Sequence, residues 1–487
     1  MLASSEVVPF AKTGGLADVC GALPIELEKL GHQIDVFMPH YRCVAADKFQ
    51  IESAKCDLEI PIGKHVEDGS LSVTQLPGSN VKLWLVGHND YFDREGLYGE
   101  NGQDYQDNCE RFTFFCRGVM ESIRLLDLRP DLVHVNDWQT CLIPALLKLE
   151  YHNNPLYEKI KSLITVHNLA YQGSFPPEQM TVTGLDWKHF NWEEMEFFGQ
   201  LNLLKTGLVF SDAINTVSPT YAQEIQTPQQ GCALESILQH RSDVLSGIIN
   251  GIDDQQWNPA VDELIAQKFD RDSWPAGKAA CKSALQREFR LRDVPDAPMI
   301  GIVGRLATQK GWSLILPVMR RWLEDESNRA QWAILGTGDP DYHTVLSSLQ
   351  QQFPNRLALT LGFSNELAHK IEAASDMFVM PSEYEPCGLN QMYSMAYGTV
   401  PVVRKTGGLA DTVIDASLET LGNGTANGFS FSDFSVEALD QALHRAARMY
   451  REDKDNWRGL VNRGMGHDWS WRASAKAYES LYESLIG

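Results

Sequence analysis

Four groups of residues in this sequence have the types and spacing to do chemistry. The first is Pro381-Ser382-Glu383-Tyr384-Glu385-Pro386-Cys387-Gly388-Leu389, which follows a strand-like run and opens a helical one. Ligands of doubly wound sheets bind at such strand ends, and Pro386 and Gly388 set the backbone there, so Glu385 is well placed to act. The competing reading makes Glu383 and Glu385 charges that favour a helix dipole. The second group is Arg305 and Lys310 in G-R-L-A-T-Q-K-G, two cations at a strand end that suit a diphosphate, or else two solvated loop charges. The third is Asn136-Asp137-Trp138 with His167-Asn168, two polar clusters after apolar strands. Asp137 could equally be a helix cap and His167 a satisfied structural histidine. Trp138 and nearby Tyr171 offer flat faces for sugar rings, or belong to the core.

The fourth is a repeat. Lys12-Thr13-Gly14-Gly15-Leu16-Ala17-Asp18 recurs as Lys405-Thr406-Gly407-Gly408-Leu409-Ala410-Asp411. Paired glycines ahead of a helix let backbone amides approach an anion or an array of sugar hydroxyls. The repetition favours ligand contact over a mere tight turn, and it implies that both copies face a common cleft.

Positioning these groups requires parallel sheets. Short apolar runs at 300–303, 332–335, 357–361, 377–380 and 400–403 alternate with helical patterns at 312–323, 342–353, 365–374, 389–397 and 409–414. That alternation means βαβ units. Runs at 34–37, 83–86, 132–135, 164–166 and 213–217 repeat the pattern in the first half. The fold class is therefore α/β, with two Rossmann-like doubly wound domains. The pattern pauses in the Gly-, Asn-, Asp- and Pro-rich segment G-I-I-N-G-I-D-D-Q-Q-W-N-P, which places a hinge there. The expected domains are 1–245 and 246–465, followed by a closing helix in 466–487 that packs back toward the first domain.

Composition removes other classes. The chain has 487 residues, 43% of them hydrophobic, and carries a net charge of −22, which argues against nucleic acid or an anionic membrane as partner. Nine cysteines without a C-x-x-C pair suggest reduced thiols. With no apolar stretch long enough to span a membrane and no secretory pattern, the expected location is the cytoplasm. Asp270/Asp272 and Asp453/Asp455 lie in charged stretches that read as solvated faces, so no metal is expected. Gly336-Thr337-Gly338 lacks the third glycine of a dinucleotide fingerprint.

Taken together, S-E-V-V-P-F-A-K-T-G-G-L-A-D, V-N-D-W, V-H-N-L-A-Y-Q-G, N-G-I-D, G-R-L-A-T-Q-K-G, P-S-E-Y-E-P-C-G-L and K-T-G-G-L-A-D-T resemble the bacterial glycogen synthase and plant starch synthase family over almost the whole chain. The resemblance implies the GT-B fold, two Rossmann-like domains facing each other across a cleft. It also implies a retaining, metal-independent transfer of glucose from ADP-glucose to the non-reducing 4-OH of an α-1,4-glucan (glycogen or starch), without a cofactor. In that reading Lys12, Gly14, Gly15, Asp18, Asn168, Asn250, Arg305, Lys310, Glu385, Cys387, Gly388 and Leu389 bind the donor. Phe363 occupies a position that is often Tyr and stacks on adenine. Glu6, Asp137, Trp138 and Tyr171 lie on the acceptor side, and Lys12, Asp137, His167, Arg305, Lys310 and Glu385 form the catalytic set. The sequence shows an unusually short first strand before Glu6. Two rivals remain at this stage, a related transferase with another donor or acceptor and a glucan-binding scaffold without catalysis.

Overall fold

Strands covered on both faces need no polar alternation, and the near-continuous apolar runs of this chain accordingly form parallel sheets. The computed structural model describes residues 1–44, 48–294 and 296–487. It divides into two units, Met1–Asn250 with Trp471–Gly487, and Gly251–Ser470.

The first unit contains β1 (Leu2–Ala3), β2 (Asp35–Pro39), β3 (Glu52–Ile62), β4 (His65–Gln75), β5 (Lys82–Gly87), β6 (Leu132–Asn136), β7 (Lys161–Val166), β8 (Ala213–Thr216) and β9 (Leu245–Gly247). They form one sheet in the order β9-β8-β7-β6-β1-β2-β5-β4-β3. All pairs from β9 to β5 are parallel, while β3 and β4 add an antiparallel hairpin at the edge. The strand order therefore reverses direction between β1 and β6. The hairpin is absent from the five strands expected for this half. Its signal was alternation: Leu58, Ile60 and Ile62 are buried while Glu59 and Pro61 face solvent, the period of a half-covered strand.

Helix Gly15–Lys29 buries Leu16, Val19, Cys20, Leu23 and Leu27. The terminal helix Trp471–Ile486 packs Trp471, Ala475, Tyr478 and Tyr482 into the same apolar cluster as Val19, Leu23 and Leu27. Polar contacts lock it to the sheet: Tyr482 Oη lies 2.8 Å from His134 Nδ1, and Asn215 donates to Tyr478 Oη at 3.1 Å. Burial drives the His134 pKa down to about 3, so its imidazole is neutral.

The second unit holds β10 (Met299–Val303), β11 (Gln331–Gly336), β12 (Leu357–Leu361), β13 (Met377–Met380), β14 (Val400–Arg404) and β15 (Phe429–Phe431). They form a parallel sheet in the order β12-β11-β10-β13-β14-β15. Counted from β10 this is the 3-2-1-4-5-6 order of the dinucleotide-binding fold. Helix Trp312–Glu324 covers it with Trp312, Ile315, Val318, Met319, Trp322 and Leu323, one stripe at helical spacing.

A buried lysine ties this unit together. Lys278, in helix Trp274–Glu288, donates to Ala373 O at 3.1 Å, Tyr397 O at 3.0 Å and Thr399 Oγ1 at 2.7 Å. The first of these carbonyls ends helix Asn365–Ala374, where no intrahelical donor remains. Burial lowers the Lys278 pKa to about 8 and raises that of nearby Glu372 to about 8. Lys278→Met is expected to cost about 3 kcal/mol, because it strands several acceptors and a buried acid at once. Chemical denaturation at neutral pH checks this, and a loss below about 1 kcal/mol would contradict it.

Candidate functional site

In a doubly wound sheet, loops leaving the strands on either side of the order reversal splay apart and leave a crevice. The reversal in the first unit falls between β1 and β6. After β1 the chain runs through Glu6 to the Lys12 loop, and after β6 comes Asp137.

Glu6 is buried and holds the loop. It accepts from Thr13 Oγ1 at 2.6 Å, Gly14 N at 3.2 Å, the Thr13 amide, and Tyr98 Oη at 2.5 Å. Both carboxylate oxygens are thereby engaged, which makes Glu6 a positioning residue for the loop. Lys12, half-exposed, reaches Asp18 at 2.7 Å, so the loop cation is steered by the first turn of the helix that follows.

Asp137 takes φ +54°, an unusual conformation for a residue with a side chain. Its Oδ1 accepts from the His167 amide at 2.7 Å, tying the ends of β6 and β7 together. His167 Nε2 lies 2.9 Å from Asn136 Oδ1, and the amide side of Asn136 donates to Ala3 O. That arrangement makes Nε2 the protonated nitrogen and leaves Nδ1 as an acceptor. Burial holds the His167 pKa down to about 3, so the ring is neutral. Asn168 uses its side chain on the Ala170 amide, and Tyr171 is exposed. Trp138 enters the core, 5.0 Å from the Phe112 ring and 5.7 Å from Phe175, the second of the two readings that the sequence left open for it. Asn250 is buried with Oδ1 lacking a hydrogen-bond partner among the described residues, an arrangement that calls for a ligand or water.

Desolvation raises the Asp137 pKa to about 7, against the lowering influence of the His167 and Asn168 amides. A folded pKa above the unfolded one means a contribution fully present below about pH 4 and lost as pH rises through 7. Asp137→Asn, which keeps the acceptor oxygen, should therefore stabilise the protein at pH 8 by on the order of 2 kcal/mol and do nothing below about pH 4. Denaturation across that range tests the sign, and a variant destabilised at pH 8 would refute it.

In the second unit the reversal falls between β10 and β13. The loop after β10 carries Arg305 and Lys310, and the loop after β13 carries Glu385. The structure brings two of the three together. Lys310 Nζ lies 2.6 Å from Glu385 Oε2, which also accepts from Ser382 Oγ at 3.0 Å. Arg305 is exposed and makes a long contact of 3.3 Å to Gln309. Helix Asn390–Ala396 begins after Leu389, with no side-chain cap, so Glu385 does not cap it by a hydrogen bond. Cys387 is buried, Gly388 takes φ +74°, and Leu389 is half-buried. Phe363 stands beyond the end of β12 with 91% of its surface exposed.

The two heptapeptides differ in surroundings. Gly14 has open space where a Cβ would stand, whereas a Cβ on Gly407 would lie 2.0 Å from Glu385 O and one on Gly408 2.1 Å from Cys387 O. The second copy is thus a seat for the Glu385 segment, while the first is open at Gly14. Sequence reasoning missed Tyr98, which only its bond to Glu6 marks, and gave no role to Ser382 or Asn136 although both stand in the motifs. The two D-x-D segments serve local structure: Asp270 accepts from Ser273 in a turn, and Asp453 caps helix Lys454–Gly466, whose first turn holds Asp455.

Two Rossmann-type units, each with polar and charged residues at its sheet reversal, define a GT-B glycosyltransferase. Residues 1–240 match the family model described as starch synthase catalytic domain, and residues 286–458 match that of glycosyl transferases group 1. The chain is 46% identical to a glycogen synthase of Rhodopirellula baltica, covering 99% of this chain and 97% of the relative. It is 45% identical to glycogen synthase 2 of Geobacter sulfurreducens, over 99% and 98%. Among solved structures it resembles the catalytic domain of starch synthase IV from Arabidopsis thaliana bound to ADP and acarbose, with a TM-score of 0.90, 32% identity, and coverage of 100% and 98%. The chain belongs to the glycogen synthase and starch synthase family of glucosyltransferases.

Proposed function

We propose that the protein transfers glucose from ADP-glucose to the non-reducing 4-OH of an α-1,4-glucan, with retention of configuration and without a metal, in the cytoplasm. The observation that carries the reading is the Lys310–Glu385 pair at the sheet reversal. As the bond from C1 to the phosphate oxygen breaks, negative charge grows on the diphosphate and positive charge on C1. A cation and an anion held 2.6 Å apart match that developing dipole at both ends. Half-burial of the pair makes the match stronger than it would be in water.

Lys310 and Arg305 neutralise the departing diphosphate, with Lys12 and the Gly14 and Gly15 amides contributing from the first unit. Glu385 stabilises C1 and binds glucose hydroxyls. Asp137, neutral His167 and Asn250 hold the sugar, while Asn168, Asp18, Cys387, Gly388 and Leu389 complete the donor set and Tyr171 serves the acceptor. A double displacement needs a carboxylate nucleophile on the opposite face. The front-face route is favoured instead: the acceptor O4 bonds to C1 as the phosphate leaves, and its proton passes to a phosphate oxygen. The starch synthase bound to ADP and acarbose supports a glucan-like acceptor and an ADP product.

Phe363 supplies the adenine face. Since it is almost wholly exposed, Phe363→Ala should leave stability unchanged yet weaken ADP binding roughly 5- to 100-fold. Calorimetry with ADP measures this, and unchanged affinity would remove Phe363 from the site.

Transfer of labelled glucose to glycogen, with ADP-glucose and UDP-glucose in parallel and a chelator present, tests the whole reading. Chelator-resistant incorporation from ADP-glucose is expected. Preference for UDP-glucose would overturn the donor assignment, and glucan binding without incorporation from either donor would favour a scaffold.

A further inference from the structure

We propose that the second unit carries a separate binding site for a small phosphate-bearing ligand, in a cavity of ≈ 400 Å³ walled by Arg271, Arg463, His467 and Trp469. Lys310 and Glu385 do not line it. In a chain of net charge −22, two guanidinium groups converging on one hollow stand out, because surface arginines in such a field are usually met by carboxylates.

These are met by few. Arg271 makes no hydrogen bond or ion pair among the described residues, and it lies against Gly466, where a Cβ would come within 2.9 Å of its Cζ. Arg463 spends Nε on the Ala426 carbonyl, and its terminal nitrogens have no acceptor among the described residues. Its guanidinium rests 3.1 Å from where a Cβ on Gly459 would stand. Two glycines thus make room for two guanidinium groups. His467 packs against Trp469 with ring centroids 4.0 Å apart and the planes tilted by 40°, and the indole is pinned by its bond to Gly464 O at 3.1 Å. Asn427 is a strut, accepting from Ile414 N at 2.7 Å and donating to Thr412 O at 2.9 Å. Asp411 is the one carboxylate in the lining.

Guanidinium forks match phosphate oxygens, and two forks with an imidazole against one carboxylate leave a net positive pocket. The fixed aromatic pair beside them suits the apolar face of a sugar, so the phosphate can be free or borne on a hexose. The same pocket reaches the chemistry through structure: Asp411 and Thr412 end helix Gly407–Thr412, whose first residues seat the Glu385 segment.

Calorimetric titration of the full chain with inorganic phosphate, and separately with glucose 1-phosphate, tests the site. Each titration is run with and without saturating ADP. Saturable binding that persists with ADP, and that weakens at least tenfold in both Arg271→Gln and Arg463→Gln, is the expected result. Arg271 is exposed, and its variant should keep the wild-type thermal midpoint and basal turnover, so loss of binding there is not loss of fold. Tighter binding of glucose 1-phosphate than of phosphate identifies a sugar phosphate as the ligand class, and equal binding identifies the free anion. Absence of binding to either probe, or binding that both variants retain, overturns the proposal; so does binding that ADP abolishes equally in wild type and variants.

Discussion

Glu385→Gln is expected to reduce turnover on the order of 10²–10³-fold, the effect of removing one group that stabilises transition-state charge, while ADP affinity changes by less than about tenfold. The substitution is nearly isosteric. A glutamine oxygen still accepts from Ser382, whose hydroxyl lies 3.0 Å from the carboxylate, so the loop after β13 keeps its shape. What disappears is the negative charge that the proposed mechanism sets opposite C1, and with it the partner of Lys310. The freed lysine remains available to the diphosphate, which is why ADP binding is largely spared. Rapid-quench kinetics with ADP-glucose and calorimetry with ADP separate the two quantities. Activity within a few-fold of wild type would make Glu385 a structural residue, and equal losses in binding and turnover would mean that the charge serves the ground state.

Much of this site was legible because strand-end positions follow from periodicity alone. The runs ending at 303 and 380 located Arg305, Lys310 and Glu385 at one sheet edge, and the motif types supplied the rest. What sequence could not give was the pairing within the edge. Lys310 and Glu385 are 75 positions apart, and only the adjacency of β10 and β13 joins them. Trp138 stayed open between two readings for a related reason: an indole after a strand can face either way, and here Phe112 and Phe175 claim it. The bonds that engage Glu6 were illegible because backbone donors leave no trace in sequence. The hairpin β3–β4 went unread because its alternation lies among charged residues that resemble loop.

The repeated heptapeptide gives the sharpest test of how context sets role. Gly408→Ala should lower stability by about 1–3 kcal/mol and turnover by roughly 10²-fold, whereas Gly14→Ala should leave stability within about 0.5 kcal/mol and act, if at all, through the KM for donor. At Gly408 the added methyl meets the Cys387 carbonyl oxygen at 2.1 Å and its carbon at 2.6 Å. Those are backbone atoms that cannot rotate aside, so the segment carrying Glu385 must move, and Glu385 moves with it away from Lys310. At Gly14 the backbone is extended, with φ −150° and ψ −167°, and nothing lies within 4 Å of a Cβ. Only a ligand drawn to the loop amides would notice the methyl. Denaturation curves and steady-state kinetics on the two variants decide the matter. Equal effects would mean that the copies share one function after all, and a stable, active Gly408→Ala would mean that the seat beneath Glu385 is softer than its contacts require.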